Sequence, residues 1–201
     1  DINGNAIKTF PFMSSNILGV KHGTLNCWAA HSGAGKSTYM ITVLMSLISQ
    51  GERFTVVTNE SSVSDVKVQF LVWVLTRCLD YWEVSKKKLV SGNLTSQDKE
   101  KIKEARKYWK DNYAKAIKIT SLSDADARLT CQIIKKDITR GGYSCFLVDT
   151  FKLSMDGGNN EAFWMSLIKD TRALTEIAMR YNVIGLMTVQ LALNSLNRCW
   201  I

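Results

Sequence analysis

Proline occurs once in 201 residues, at Pro11, and histidine only twice, at His22 and His31. With so little proline and no low-complexity run, few linkers are expected and the elements should be long. Five scattered cysteines (Cys27, Cys78, Cys131, Cys145, Cys199) contain no Cys-x-x-Cys pair, which with two histidines argues against a zinc module. Their odd number and wide separation, with Cys27 and Cys145 in apolar runs, predict buried reduced thiols and a cytosolic compartment. No apolar run reaches membrane-spanning length, so no membrane partner is expected. The start Asp1-Ile-Asn has neither a signal-peptide pattern nor an initiator Met, and the chain is expected to be a piece of a longer protein. What is present suits one globular domain with a sizeable core, since 46% of residues are apolar and 22% charged. The net charge of +8 permits an anionic partner, but it is spread along the chain.

The most informative stretch is Leu25-Asn-Cys-Trp-Ala-Ala-His-Ser-Gly-Ala-Gly-Lys-Ser-Thr38. Cys27 to Ala30 reads as a short buried strand, and His31 to Gly35 as a tight loop of small residues. Lys36-Ser37-Thr38 opens a helix whose apolar residues Tyr39, Met40, Val43, Leu44, Leu47 and Ile48 recur at helical spacing. This is a P-loop with Ala30 at its first position. Gly33 and Gly35, lacking side chains, let the backbone curl so that successive N–H groups of Ser32, Gly33, Ala34 and Gly35 face a phosphate. The helix N-terminus adds its own donors and the positive end of its dipole. Lys36 suits the β- and γ-phosphates, Ser37 a Mg²⁺ ion, and Thr38 an α-phosphate oxygen. Strand before and helix after separate this motif from a chance glycine turn, and a bound nucleoside triphosphate follows.

Along the chain, residues 1–22 read as a lead-in and 23–201 as the domain proper. Further strands are expected at Phe54–Asn59, Ile117–Thr120, Tyr143–Asp149 and Val183–Met187. Between them lie helical patterns: Val66 to about Tyr81, capped by Ser64 or Asp65, and Lys99 to Tyr113, started by Thr95 with Asp98 three residues on. Another is capped by Ser123 or Asp124 and runs to Arg140 with Ala127, Cys131, Ile134 and Ile138 inward. A last one carries Trp164, Leu167, Ile168, Leu174 and Ala178 on one face. Lys86-Lys-Lys88 reads as a basic turn. Apolar strands alternating with helices predict an α/β fold with a mainly parallel sheet between two helical layers.

In such sheets ligands sit at the carboxyl ends of the strands, and there the P-loop, Glu60, Asp149 and Gln190 all fall. Asp149 closes the apolar Cys145-Phe-Leu-Val run as a Walker B carboxylate, suited to the Mg²⁺ shell beside Ser37. Thr150 stands where many P-loop ATPases carry their glutamate, so the base must come from elsewhere. Glu60, ending the neighbouring strand, is the candidate; the plainer reading is a solvated carboxylate near a helix start. Gln190, after the fifth strand, is a candidate γ-phosphate sensor, although a strand-end Gln alone says little. His31 is expected to be an exposed loop filler. The mixed-sign run from Lys99 to Trp109 reads as a solvated helix face rather than a nucleic-acid site. Asn194, Asn197 and Arg198, just past Gln190, are better placed for a threaded polymer.

These residues together resemble a family, the RecA-like ATPase domain of DnaB-type replicative helicases, bacterial or phage, from about Gly19 to Arg198. Gly23-Thr-Leu…Ala29-Ala-His-Ser-Gly-Ala-Gly-Lys-Ser is similar to its P-loop strand. Thr58-Asn-Glu-Ser-Ser resembles the segment that supplies its catalytic glutamate. Ser91-Gly-Asn-Leu-Thr-Ser-Gln-Asp resembles its turn and helix start, Leu147-Val-Asp-Thr-Phe-Lys-Leu its Walker B strand, and Gln190-Leu-Ala-Leu-Asn-Ser-Leu-Asn-Arg its sensor region. Thr150, Lys152 and Val189 depart from the family's usual residues and suggest a divergent member. The resemblance implies a RecA-like three-layer fold and ATP hydrolysis with Mg²⁺. It also implies a homo-hexameric ring with ATP at subunit interfaces, translocation on single-stranded DNA with unwinding of duplex, and helicase loader and primase as partners. The family's later strands, with the arginine finger and the DNA-binding loop, fall beyond Ile201.

Two alternatives remain open at this level. One is a RecA- or KaiC-like ATPase that assembles on DNA or protein without unwinding; the Thr95–Asp98 segment favours the helicase. The other is a replication or recombination accessory protein that keeps the ATP site as a switch, against which Lys36, Glu60 and Asp149 all speak.

Overall fold

A computed structural model of the chain describes residues 4–6, 16, 19–31, 33–123, 127–151 and 160–191. The strands are β1 (Leu25–His31), β2 (Phe54–Thr58), β3 (Ile117–Ser121), β4 (Cys145–Phe151) and β5 (Ile184–Leu191). They form one sheet in the order β1-β5-β4-β2-β3, and every pairing is parallel. The helices are α1 (Lys36–Ile48), α2 (Val63–Arg77), α3 (Lys86–Ser91), α4 (Ser96–Asn112), α5 (Ala127–Gly141) and α6 (Asn160–Tyr181).

Side-chain alternation builds the three layers. On one face Val56, Cys145, Leu147, Ile184 and Leu186 pack against α1 and against Val66 and Phe70 of α2. On the other Val57, Phe146, Val148 and Met187 pack against Cys131 and Ile134 of α5 and Leu174, Ile177 and Ala178 of α6. The strands are therefore apolar on both sides, as a fully covered parallel sheet requires. Gly185 makes room within this packing, since a Cβ there would come within 2.6 Å of the Phe146 ring. Val20 is fully buried in the α1 cluster, and its strand-like bridge to Asn5 ties residues before β1 to the same core.

Several expectations change in detail. Cys27 is exposed rather than buried, because β1 is one of the two edge strands among the described residues. Cys131 and Cys145 are buried, Cys78 is half-buried, and Cys199 lies outside the described residues. α2 ends at Arg77, short of Tyr81, and a left-handed Asp80 (φ 48°) turns the chain. Its cap is Ser62, whose hydroxyl accepts from the Asp65 amide, rather than Ser64 or Asp65. Lys86–Lys88 belong to the short helix α3, which Ser85 caps. Ile168 of α6 is 43% exposed although it shares the apolar helical spacing; among the described residues of α6, Leu174, Ile177 and Ala178 are buried in the cluster on that sheet face. Asp124 and the side chains of Trp164 and Leu167 lie outside the described residues.

α2, α3 and α4 form a satellite core of Val74, Leu75, Val84, Ile102 and Ala105. Its polar anchor is Asp98, 1% exposed, which closes the expected capping box with Thr95. Asp98 also accepts from Lys88 at 2.8 Å and from the Tyr81 hydroxyl at 2.8 Å. The Lys88 ammonium, then the Thr95 amide, holds this carboxyl well below the usual carboxylate range. The Tyr81 phenol, donating to the same carboxylate, is pushed up to about 12. A depressed carboxyl contributes stability above its unfolded pKa and loses it as pH falls towards the folded value. Asp98→Asn is therefore expected to melt below the wild type at neutral pH, with the gap narrowing below about pH 4. Thermal melts across an acid pH series check this, and a constant gap would refute it.

Candidate functional site

The carboxyl edge of the sheet carries the site because parallel strands all end on one side. β1 ends at His31, and the chain re-enters regular structure at Lys36 through glycines whose φ is positive: Gly33 (78°) and Gly35 (80°). A Cβ at either would meet nothing within 4 Å, so backbone conformation rather than space requires glycine there. The Ala34 amide donates to the His31 carbonyl (3.3 Å), and the Tyr39 amide to that of Gly35 (2.9 Å), which closes the loop onto α1. Serine or threonine side chains cap α2, α3 and α4, whereas no side chain caps α1. Its first turn thus presents backbone donors to the loop, an anion-binding arrangement.

His31, Gly33, Gly35, Lys36, Ser37, Thr38 and Glu60 line one cradle of about 230 Å³. The Lys36 side chain is only 9% exposed, and its ammonium lies 3.6 Å from a Glu60 carboxylate oxygen, across from β1 to the end of β2. Glu60 is held there by the turn after β2. The Ser61 amide donates to the Thr58 hydroxyl, the Ser121 hydroxyl to the Ser61 carbonyl, and Ser62 starts α2. Ser32 lies outside the described residues, as do Asn194, Asn197 and Arg198.

Asp149 stands at the same edge on β4, separated from β1 by β5. It is 7% exposed, and the buried Thr188 hydroxyl donates to its Oδ1 at 2.8 Å. Pairing with β5 slips between Val148 and Phe151, where the ladder is irregular beside the carboxylate. Gln190 lies within β5, opposite Ala30, rather than after the strand, and it is exposed. Neither Asp149 nor Gln190 lines the cradle itself; both flank it along the sheet edge.

Three further features are not legible in the motif. Thr188, two residues before Gln190, orients Asp149; its signal is a lone hydroxyl in the apolar Val183–Val189 run. His31 is the half-buried last residue of β1 and lines the cradle, so it is not an exposed loop filler. Its Nδ1, like the Oδ1 of Asn59, is buried without a hydrogen-bond partner among the described residues. Such groups are costly unless a polar ligand meets them.

The donor set fits Mg²⁺. Ser37 and Asp149 offer hard oxygens, and the described residues hold no group of three or more His, Cys, Asp or Glu that would cage a metal by itself. An ion there would share its shell with phosphate oxygens and water. Thr188→Val keeps the shape of the β-branched side chain and removes the donor to Asp149. It is expected to cost about 1–3 kcal/mol in chemical denaturation because the buried carboxylate loses this hydroxyl donor; an unchanged midpoint would count against the contact.

No protein-family model and no curated protein matches this sequence. Solved structures do match in shape. One of them, the structure of an ATPase domain, superposes over 98% of this chain with a TM-score of 0.77 at 13% identity. A DnaB-like replicative helicase, in a structure that includes its interactions with primase, superposes over 98% with a TM-score of 0.78 at 14% identity. The chain spans 67% of the first protein and 46% of the second. No helix among the described residues is long and apolar enough to cross a membrane. At this identity the match establishes the fold: the chain has the RecA-like α/β architecture of replicative-helicase ATPase domains.

Proposed function

We propose that this chain is the ATP-hydrolysing motor domain of a DnaB-type replicative DNA helicase. In this reading it works as a homo-hexamer, translocates on single-stranded DNA and unwinds duplex, with primase and a helicase loader as partners. The observation that carries the ATPase reading is the Lys36–Glu60 pair within a P-loop cradle. The helicase reading is supported by the fold shared with DnaB-like helicase ATPase domains, one of them in a structure that includes interactions with primase.

The chemistry divides among the chain's own groups. Backbone N–H groups around Gly33, Ala34 and Gly35 and the start of α1 bind phosphate oxygens. Lys36 neutralises the β- and γ-phosphates, and Thr38 donates to the α-phosphate. Ser37 and Asp149 would hold Mg²⁺, which when bound polarises the phosphates and offsets charge building on the leaving oxygen. Glu60 orients a water and takes its proton as the water oxygen attacks the γ-phosphorus. The bond from that phosphorus to the β–γ bridging oxygen breaks, and ADP and phosphate leave.

The 3.6 Å ion pair gives this step an internal control. While Lys36 faces Glu60, the ammonium occupies the carboxylate that is to meet the water. An arriving γ-phosphate competes for Lys36 and releases Glu60 to water. Gln190, on β5 opposite the P-loop strand, is assigned as the sensor that hydrogen-bonds the γ-phosphate and reports its loss.

The test is ATP hydrolysis with and without single-stranded DNA, beside Glu60→Gln and Lys36→Ala. Glu60→Gln is expected to lower turnover by about 10²–10⁴-fold while retaining ATP binding, and Lys36→Ala to lose binding itself. DNA-stimulated turnover supports the motor. Tight binding with no turnover in the wild type would leave a nucleotide switch instead.

A further inference from the structure

A second cavity adjoins the cradle, and of the described residues that line the cradle Thr38 alone lines it too. It has a volume of about 460 Å³ and lies between α1, α2 and the segment leading into α3. Thr38 lines both spaces. From there the second cavity follows α1 to Ile41 and Thr42, a turn further on and about 6 Å along the axis at the helical rise. That step matches the reach of a ribose from an α-phosphate. Across from α1 the walls are Gln69, Trp73 and Arg77 of α2, and Trp82.

The lining has the chemistry of a heteroaromatic site. Trp82 is 59% exposed, yet two contacts fix its indole. Its Nε1 donates to the Asp80 carboxylate at 2.8 Å, and the Arg77 guanidinium sits 5.5 Å from its ring centroid. The turn that brings Asp80 into place puts a non-glycine residue in the left-handed region (φ 48°). An exposed aromatic held in one orientation is a stacking platform prepared in advance. Gln69 presents an amide with both donors and an acceptor, suited to a base edge. The indole N–H of Trp73 is buried without a partner among the described residues, a donor that lacks an acceptor.

Building on the nucleotide reading above, we infer that this cavity receives the base and ribose of the nucleotide whose phosphates occupy the P-loop cradle, with Trp82 as the stacking surface. The cradle then supplies affinity for any polyphosphate, and the second cavity supplies the contacts that distinguish a nucleotide from its phosphate chain.

Calorimetric titration of the full chain with Mg·ATP and, separately, with inorganic tripolyphosphate and Mg²⁺ separates the two spaces. Trp82→Ala is expected to weaken ATP binding about tenfold and to leave tripolyphosphate binding unchanged, while Trp82→Phe restores most of the loss. Lys36→Ala should abolish both. Circular dichroism melts of each variant establish that the fold is retained. Equal weakening of ATP and tripolyphosphate in Trp82→Ala would overturn the assignment, because the residue would then act through the cradle. Unchanged ATP binding in that variant would place the base elsewhere and overturn it too, with the cradle reading intact. If the wild type binds neither ligand, the phosphate reading itself fails and the base site falls with it.

Discussion

Because all five strands run parallel, every connection between them has to cross a face of the sheet, and every strand ends on the same edge. That constraint produces both the core and the site. Each crossing carries a helix, the helices cover both faces, and strands shielded on both sides become continuous apolar runs such as Cys145–Val148. The polar residues that close those runs then have one place to go. Lys36, Glu60, Asp149 and Gln190 come from four separate stretches of chain, and the strand direction alone gathers them along one rim.

The rigidity of α1 matters as much as its position. From Met40 to Ile48 every residue of the helix is buried, Thr42 and Ser46 included. The Thr42 hydroxyl donates to the Thr38 carbonyl, so it brings no unsatisfied polar group into the core. A helix clamped in this way fixes the position of its first turn, and with it the loop N–H groups and the Lys36 ammonium that line the cradle. Glu60 is steadied from the other side by the β2 turn and the start of α2, whose far end also shapes the second cavity. The site is thus framed by two helices that pack on the same sheet face and on each other.

Local rules are enough wherever a short segment decides its own conformation. The P-loop glycines, the Thr95–Asp98 capping box and the apolar strands can be read directly, because left-handed backbone, cap chemistry and alternation are written in adjacent residues. The errors lie where a distant partner decides. Cys27 sits in an apolar run and yet is exposed, because sheet order places β1 at an edge among the described residues. Ile168 obeys helical spacing yet is exposed, while Leu174, Ile177 and Ala178 of the same helix are buried against the sheet. The sequence pattern puts Gln190 beyond β5, but pairing with β1 extends the strand through it.

Taken alone, the sequence determined that this chain folds as a doubly covered parallel α/β sheet with a glycine loop between β1 and α1, since periodicity, glycine placement and the Gly-Lys-Ser spacing are local properties. It also marked Glu60 and Asp149 as the carboxylates to watch. Only the tertiary structure decided what those groups touch: Glu60 on Lys36, Thr188 on Asp149, and the meeting of two cavities at Thr38. Such contacts join residues far apart in the chain, and they depend on strand order, register and helix packing. No pattern of neighbouring residues encodes those.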